Sequence, residues 1–342
     1  MNKLHAKDSR MIKKSVIVFV FIMLVSFSIF KYYRHHNVKK PLKHVTIRLQ
    51  WVTQTQFAGF YVAKSKGFYK DYGLDVSIEE GGYALSNIRS VKEGAEEFGC
   101  RWASDLLPYF QDLIIIANIF KNNGLLLVSK KERNIKNIHN LIKKRLSIWF
   151  IGNELQLLSL LDKYHISNHQ VEVIPQKFDL SQFYNDEVDA ISAMSFNELL
   201  ILNKNGYPNE KLNILDYKDY GYDFLGDCIF TSKSYLKNHP DVCKAFVQAS
   251  IKGWEYSLEY PEEAAKIVVN QSKNMKLDYA HQLSQLNAVK KLIISNQYPI
   301  GFTPLKDIQK LIELFYKNGI LTDEIVPDQI YTNQFIKKES RK

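Results

Sequence analysis

VTIRLQWVTQTQFAGFYVAKSKGFYKDYGLDVSIEEGG, residues 45–82, is the stretch that decides the fold. VTIRLQ at 45–50 alternates apolar and polar residues, the period of a strand. Residues 57–66 read as a helix ended by Gly67, the residue type that best tolerates the left-handed position after a helix. Residues 74–80 read as a second strand. A strand, a helix and a strand in succession predict a parallel pair with the helix packed across it. In open sheets of that kind, ligands bind beyond the carboxyl ends of the strands. Trp51 is the first residue past the first strand, with Gln54 and Gln56 close behind. An indole there suits stacking on a flat ring and amides suit pairing with ring heteroatoms. Packing of the strand end by Trp51, with solvated glutamines, fits the local pattern equally well.

The same alternation continues outward. Residues 113–120, 125–129 and 145–150 read as strands, and Asn153 as the cap of a helix over 154–163. Strands at 171–174 and 188–190 flank a short helix at 180–185, and 85–92, 102–109 and 196–204 read as helical. After strands at 212–216 and 228–231 the chain turns mostly helical. Pro240 and Pro261 each open a helix, as Pro prefers the first turn, and 278–294 and 305–317 follow. The expected class is α/β with two lobes. The polar segments 130–144 and 216–227 are taken as crossovers, giving 44–130 plus 226–342 as one lobe and 131–225 as the other, after a separate 1–43.

Three further places carry candidate chemistry. IGNE (151–154) is a glycine turn into a helix. Its free N–H groups suit an anion or ring acceptor, and an ordinary Asn cap explains it as well. In AMSFNELL (193–200), Glu198 opens an otherwise apolar helix straight after a strand. It reads as an acceptor for an exocyclic amine or as a first-turn acid favoured by the helix dipole. DYKDYGYD at 216–223 is an aromatic and acidic loop suited to a hinge or cleft rim. GxSxG, GxxxxGK[ST] and HExxH are absent, and the three cysteines show no metal or disulfide spacing.

The net charge of +10 does not indicate a nucleic-acid binder. Residues 1–43 hold ten of the 46 Lys and Arg and one of the 36 acids, which leaves a nearly neutral body of 36 against 35. A nucleic-acid interface needs a basic face. The tail carries an uncharged run, SVIVFVFIMLVSFSIF at 15–30, behind Lys13 and Lys14. A spanning helix needs about 20 residues, and Tyr32 and Tyr33 extend the run into an interface. An uncleaved anchor through 15–33 is the reading preferred here. A cleaved signal peptide is the alternative, with a poor small-x-small site at 26–28. A short basic tail stays inside, which would place 44–342 outside the cytoplasm.

Six ordered segments carry a resemblance: the stretch quoted first, RWASDLL (101–107), FIGNE (150–154), AMSFNELL, DYGYDFLGDCIF (219–230) and YTNQF (331–335). Together they resemble bacterial binding proteins for thiamine-pyrimidine precursors, the solute-binding parts of ABC importers. The eukaryotic relatives of these are the suicide pyrimidine synthases of thiamine biosynthesis. The resemblance spans roughly residues 44–336. It implies a type II periplasmic-binding-protein fold closing on one small ligand, with an ABC permease as partner. It also implies a cleft built from Trp51, Gln56, Trp102, Asp105, Gly152, Asn153, Glu154, Phe196, Glu198 and Tyr222. Trp51 would stack, Glu198 would accept from an exocyclic amine, and Asn153 with the adjacent amides would hold the opposite edge.

The departures bear on chemistry. The synthase branch has an active-site His and a pyridoxal-phosphate Lys in the segment matching FGCRWASDLL, where this chain reads Asp105 and Arg101. It has a run of cysteines where this chain has Cys228 alone. The resemblance therefore implies binding rather than synthesis, with pyridoxal phosphate needed only under the synthase alternative. Phe196 replaces a Tyr of many relatives and Arg101 a small residue, which leaves sulfonates and flavins as alternative ligands. A tethered sensor without a transporter is a third reading.

Overall fold

The computed structural model describes Met23 and residues 41–82, 86–150 and 154–337. The expected span at 15–33 lies outside these apart from Met23, as do Gly152 and Asn153 entirely. No helix among the described residues is long and apolar enough to cross a membrane.

The body, Lys43–Lys342, contains two five-stranded sheets. The first runs β2 (Leu74–Glu79), β1 (Lys43–Arg48), β3 (Phe98–Trp102), β10 (Asp227–Ser232), β4 (Leu113–Asn118). The second runs β7 (Glu172–Pro175), β6 (Arg145–Ile148), β8 (Ala190–Met194), β5 (Leu125–Lys130), β9 (Leu212–Asp216). In the first, β1 is parallel to β2 and β3, while β10 lies antiparallel between β3 and β4. In the second, β6 is parallel to β7 and β8, and β5 is antiparallel to β8 and β9.

Each local signal has a packing cause. Val45, Ile47 and Leu49 alternate into the first core. Strands β4, β5 and β10 are buried at every position, which is why they read as near-continuous apolar runs. Gly67 takes φ 78° after the helix Ala58–Ser65, as its position predicts. That helix packs closely on Pro240–Glu259, where a Cβ on Gly253 would stand 2.1 Å from the carbonyl oxygen of Gly59.

The helix expected at 196–204 starts at Glu198, the crossover expected at 130–144 lies at 119–124, and two further elements differ because of their pairing. Trp102 ends β3 rather than starting a helix, because it pairs with Asp227. The strand expected at 188–190 starts at Ala190 and runs on to Met194, because its residues pair with β5.

The chain passes between the sheets twice, over 119–124 and over 217–226. The two passages are hydrogen-bonded to each other. The Ile119 and Phe120 N–H groups both donate to the Asp227 carbonyl (2.9 and 3.0 Å), and Gly226 N–H donates to Phe120 (3.0 Å). A Cβ on Gly226 would meet the Cβ of Phe120 at 2.8 Å. Only glycine lets the two passages lie this close.

Candidate functional site

The carboxyl ends of β1, β3, β6 and β8 converge on one cavity that opens to solvent. The first half of the molecule lines it with Gln50, Trp51, Gln54, Gln56, Arg101 and Trp102. The second lines it with Trp149, Met194, Phe196, Asn197 and Glu198. Aromatic rings with a few amides and one carboxylate are the make-up of a small-molecule site.

The aromatic part is built across the sheets. The Trp51 ring meets Trp149 edge-on at 5.6 Å and lies nearly parallel to Phe178, 6.0 Å between centroids. Phe196 is fully buried beside the cavity, edge-on to Phe120 at 6.1 Å.

The polar part is a chain of amides with a carboxylate at each end. At one end, Asp227 Oδ1 accepts from Gln50 Nε2 (2.6 Å) and Oδ2 from Gln56 Nε2 (3.0 Å). Gln56 Oε1 accepts from Gln54 Nε2 (2.6 Å), and Gln54 Oε1 from Gln285 Nε2 (3.0 Å). Gln285 Nε2 also donates to Asn197 Oδ1 (3.0 Å), and Asn197 Nδ2 donates to Glu198 Oε1 (2.8 Å). Glu198 Oε2 accepts the Met194 N–H at 2.8 Å.

Burial raises the Glu198 carboxyl above the ordinary range, against these hydrogen bonds. Asp227 is pushed up to about 7, chiefly by burial, while bonds from Gln56, Gln50 and the Trp102 ring N–H pull it down. Asp105 is pushed up to about 6 by burial, opposed by Arg101, whose Nε lies 2.7 Å from Oδ2, and reinforced by Glu154. Three carboxyl groups thus surround or line the cavity, against one guanidinium already engaged by Asp105.

Of the residues singled out by sequence, Trp51, Gln56, Trp102, Phe196 and Glu198 stand together on the cavity wall. Asp105 lies behind the wall and holds Arg101, which lines it. Glu154 opens the helix Glu154–Lys163, near enough to Asp105 to act on its charge. Tyr222 is not among the lining residues. It is buried with its hydroxyl donating to the Ser159 carbonyl at 2.8 Å. Sequence reasoning missed Trp149, Asn197, Gln285 and Asp227. Trp149 carries the same signal as Trp51, an aromatic just past a strand. Asp227 is a lone acid at the start of a wholly buried strand.

The Schiff base of pyridoxal phosphate needs a lysine amine; the lining residues named above include none, and Lys204 and Lys276 line the groove beside the cavity.

Two sheets of this order joined by paired crossings make the periplasmic-binding-protein fold. The alkanesulfonate-binding protein SsuA from Xanthomonas axonopodis pv. citri, solved bound to MOPS, shares it with a TM-score of 0.64 at 14% identity, over 86% of this chain and 99% of that one. Within that fold, residues 54–264 match the family described as NMT1/THI5 like, and the chain belongs to that family. Two curated relatives are each 22% identical. One is a riboflavin-binding protein, RibY, from Chloroflexus aurantiacus (88% of both chains). The other is a formylaminopyrimidine-binding protein from Halalkalibacterium halodurans (86% of this chain, 91% of that one).

Proposed function

We propose that this chain is an extracytoplasmic solute-binding protein of an ABC importer. Its ligand is a small planar heteroaromatic compound with an exocyclic amine, a precursor of the thiamine pyrimidine. The observation that carries this is the pairing of Trp51 and Glu198 on one cavity wall, a stacking surface beside a buried acceptor. An amine donating to a buried carboxylate makes a charge-assisted bond, roughly twice as strong as a neutral one. The same electrostatics disfavour a sulfonate, because Glu198 lines the cavity and its lining guanidinium, Arg101, is engaged by Asp105.

In this reading the two sheets mark two lobes that close on the ligand. The boundaries follow the paired crossings, so β5, grouped by sequence with 44–130, moves with the second sheet. Gly152 and Asn153 would hold the ring edge opposite Glu198, and the closed form would dock on a permease. The apolar run at 15–30 would tether the body outside the cytoplasm.

A flavin is the second reading. A further groove of about 340 Å³ shares Trp51, Asn197 and Glu198 with the cavity and extends it for a larger ring system. Titration of the purified chain with an aminopyrimidine, riboflavin and an alkanesulfonate, read by calorimetry, separates the readings. Tightest binding of the aminopyrimidine supports the first; tightest binding of the sulfonate contradicts both.

A further inference from the structure

Asp227 is 1% exposed and occupies two structures at once. Its carbonyl oxygen takes both Ile119 and Phe120 N–H groups where the crossings pair. Its carboxylate takes the amide nitrogens of Gln50 and Gln56 under the cavity. An ionised carboxylate only accepts, whereas a primary amide has a donor end and an acceptor end. A carboxylate at this point therefore fixes which end of each amide points away from it. Gln50, which lines the cavity, is left with its oxygen to offer a ligand. Gln56 must turn its oxygen to Gln54, and Gln54 its oxygen to Gln285. From the far end, Glu198 sets Asn197 in the opposite sense, and the two series meet at Gln285, whose nitrogen donates both ways. Every amide orientation in the chain is consistent with an acceptor at each end, as two ionised carboxylates supply.

We infer that Asp227 is the positioning residue that sets the cavity's hydrogen-bond polarity, making it select ligands that donate. This deepens the reading of function above and rests on it. Asp227 touches the ligand only through Gln50 and Gln56. A neutral group at 227 can donate as well as accept, which releases Gln50 and Gln56 to turn over and present nitrogen to the cavity. Burial sets the carboxyl's titration near 7, within reach of ordinary conditions. The groups that face it are Asp105 on the segment after β3, the Cys100 thiol and the Trp102 ring N–H on β3, and its neighbour Cys228. Both thiols are held protonated by burial. Asp105 titrates about one unit lower and adds to the same acid-side trend, so the variant comparison is made at position 227.

The test uses the full chain and two ligands: an aminopyrimidine, and the same ring with a carbonyl in place of the exocyclic amine. The quantity read is the ratio of their affinities from about pH 8 down to about pH 6, either side of the Asp227 titration near 7. The wild type is expected to favour the amine by about tenfold or more at the upper pH, the discrimination typical of one mismatched buried polar group. That ratio should shrink several-fold on acidification. Asp227→Asn should show a reduced ratio with a weaker dependence on pH, the ligands' own titration being common to both proteins. Gln50→Leu, which lies outside the crossings and removes the oxygen that Asp227 turns toward the ligand, is expected to reduce the same ratio should Asp227→Asn not fold. A folded Asp227→Asn with the wild-type ratio and pH profile overturns the inference. Equal weakening of both ligands overturns it too, because a merely structural residue would do that. Binding of neither ligand by the wild type instead overturns the reading of function beneath it.

Discussion

Gln285 Nε2 lies 3.0 Å from Asn197 Oδ1, a hydrogen bond between residues 88 positions apart. Gln285 sits on the helix Tyr279–Ile293, whose Leu286, Val289 and Ile293 pack into the core under the first sheet. Asn197 precedes the helix Glu198–Lys204, which follows β8 of the second. Two neighbouring contacts join the same pair of helical segments: His281 to Asn197 at 2.9 Å and Lys204 to Asp278 at 2.6 Å. The exposed Lys204 pair contributes little by itself. The buried amide does more, because it also completes the chain that reaches Asp227.

Gln285→Leu keeps the volume and removes the donor. Gln54 Oε1 loses its partner in a buried place, while the Thr55 hydroxyl keeps the Gln282 carbonyl at 2.8 Å. A loss of about 1–3 kcal/mol in unfolding free energy is expected, measured by urea denaturation. A stability within experimental error of wild type would show that the amide chain is slack.

Trp51→Ala should weaken ligand binding by about tenfold or more, and Trp51→Phe by less, since a smaller aromatic face remains. Quenching of intrinsic fluorescence on titration provides the measurement. Equal affinities for the three proteins would remove Trp51 from the binding surface.

Glu198→Gln keeps the shape and removes the charge. Affinity for an aminopyrimidine should fall by about tenfold to a hundredfold, the range for a hydrogen bond to a charged group. Stability of the free protein should hold or rise, because burial already disfavours the charged carboxyl. A fall in both together would mark Glu198 as a structural helix-start residue.

Asp227 and Asp105 titrate near 7 and 6 in the folded chain, both well above the usual carboxylate range. Unfolded, both ionise near pH 4. Between those values the folded protein binds more protons than the unfolded one, so their contribution to stability is greatest at low pH. It is lost as pH rises from about 4 through about 7. The loss of unfolding free energy over that range should be smaller in Asp227→Asn than in wild type. Parallel curves would show that Asp227 is ionised in the folded state throughout.

Much of the fold was legible because its signals are local. The helix expected at 154–163 is Glu154–Lys163, and the strand expected at 212–216 is Leu212–Asp216. Both have strong periodicity and clear ends. Trp102 was misread because its strand identity comes from Asp227, 125 positions away, and no local period reports that pairing. The site followed the same rule. Trp51 and Glu198 stood out as unusual residues just past strands. The amide chain did not, because Gln56 and Asp227, or Gln54 and Gln285, are ordinary polar residues until the fold brings them within hydrogen-bonding distance. Membership of the ordered motif set gathered Trp51, Asn153 and Glu198 into one expected site when each alone was no better than an even choice.

The central claim is that the cavity holding Trp51 and Glu198 takes a donor-bearing heteroaromatic ring. Thermal unfolding of the full chain with and without an aminopyrimidine tests it most directly. At a concentration 100 times its Kd, the ligand should add about 2.7 kcal/mol of stability and raise Tm. In Glu198→Gln, with affinity tenfold to a hundredfold weaker, the same concentration should add only about 0.4–1.4 kcal/mol. An unchanged Tm with every aminopyrimidine tried, or an equal shift in Glu198→Gln, would contradict the account.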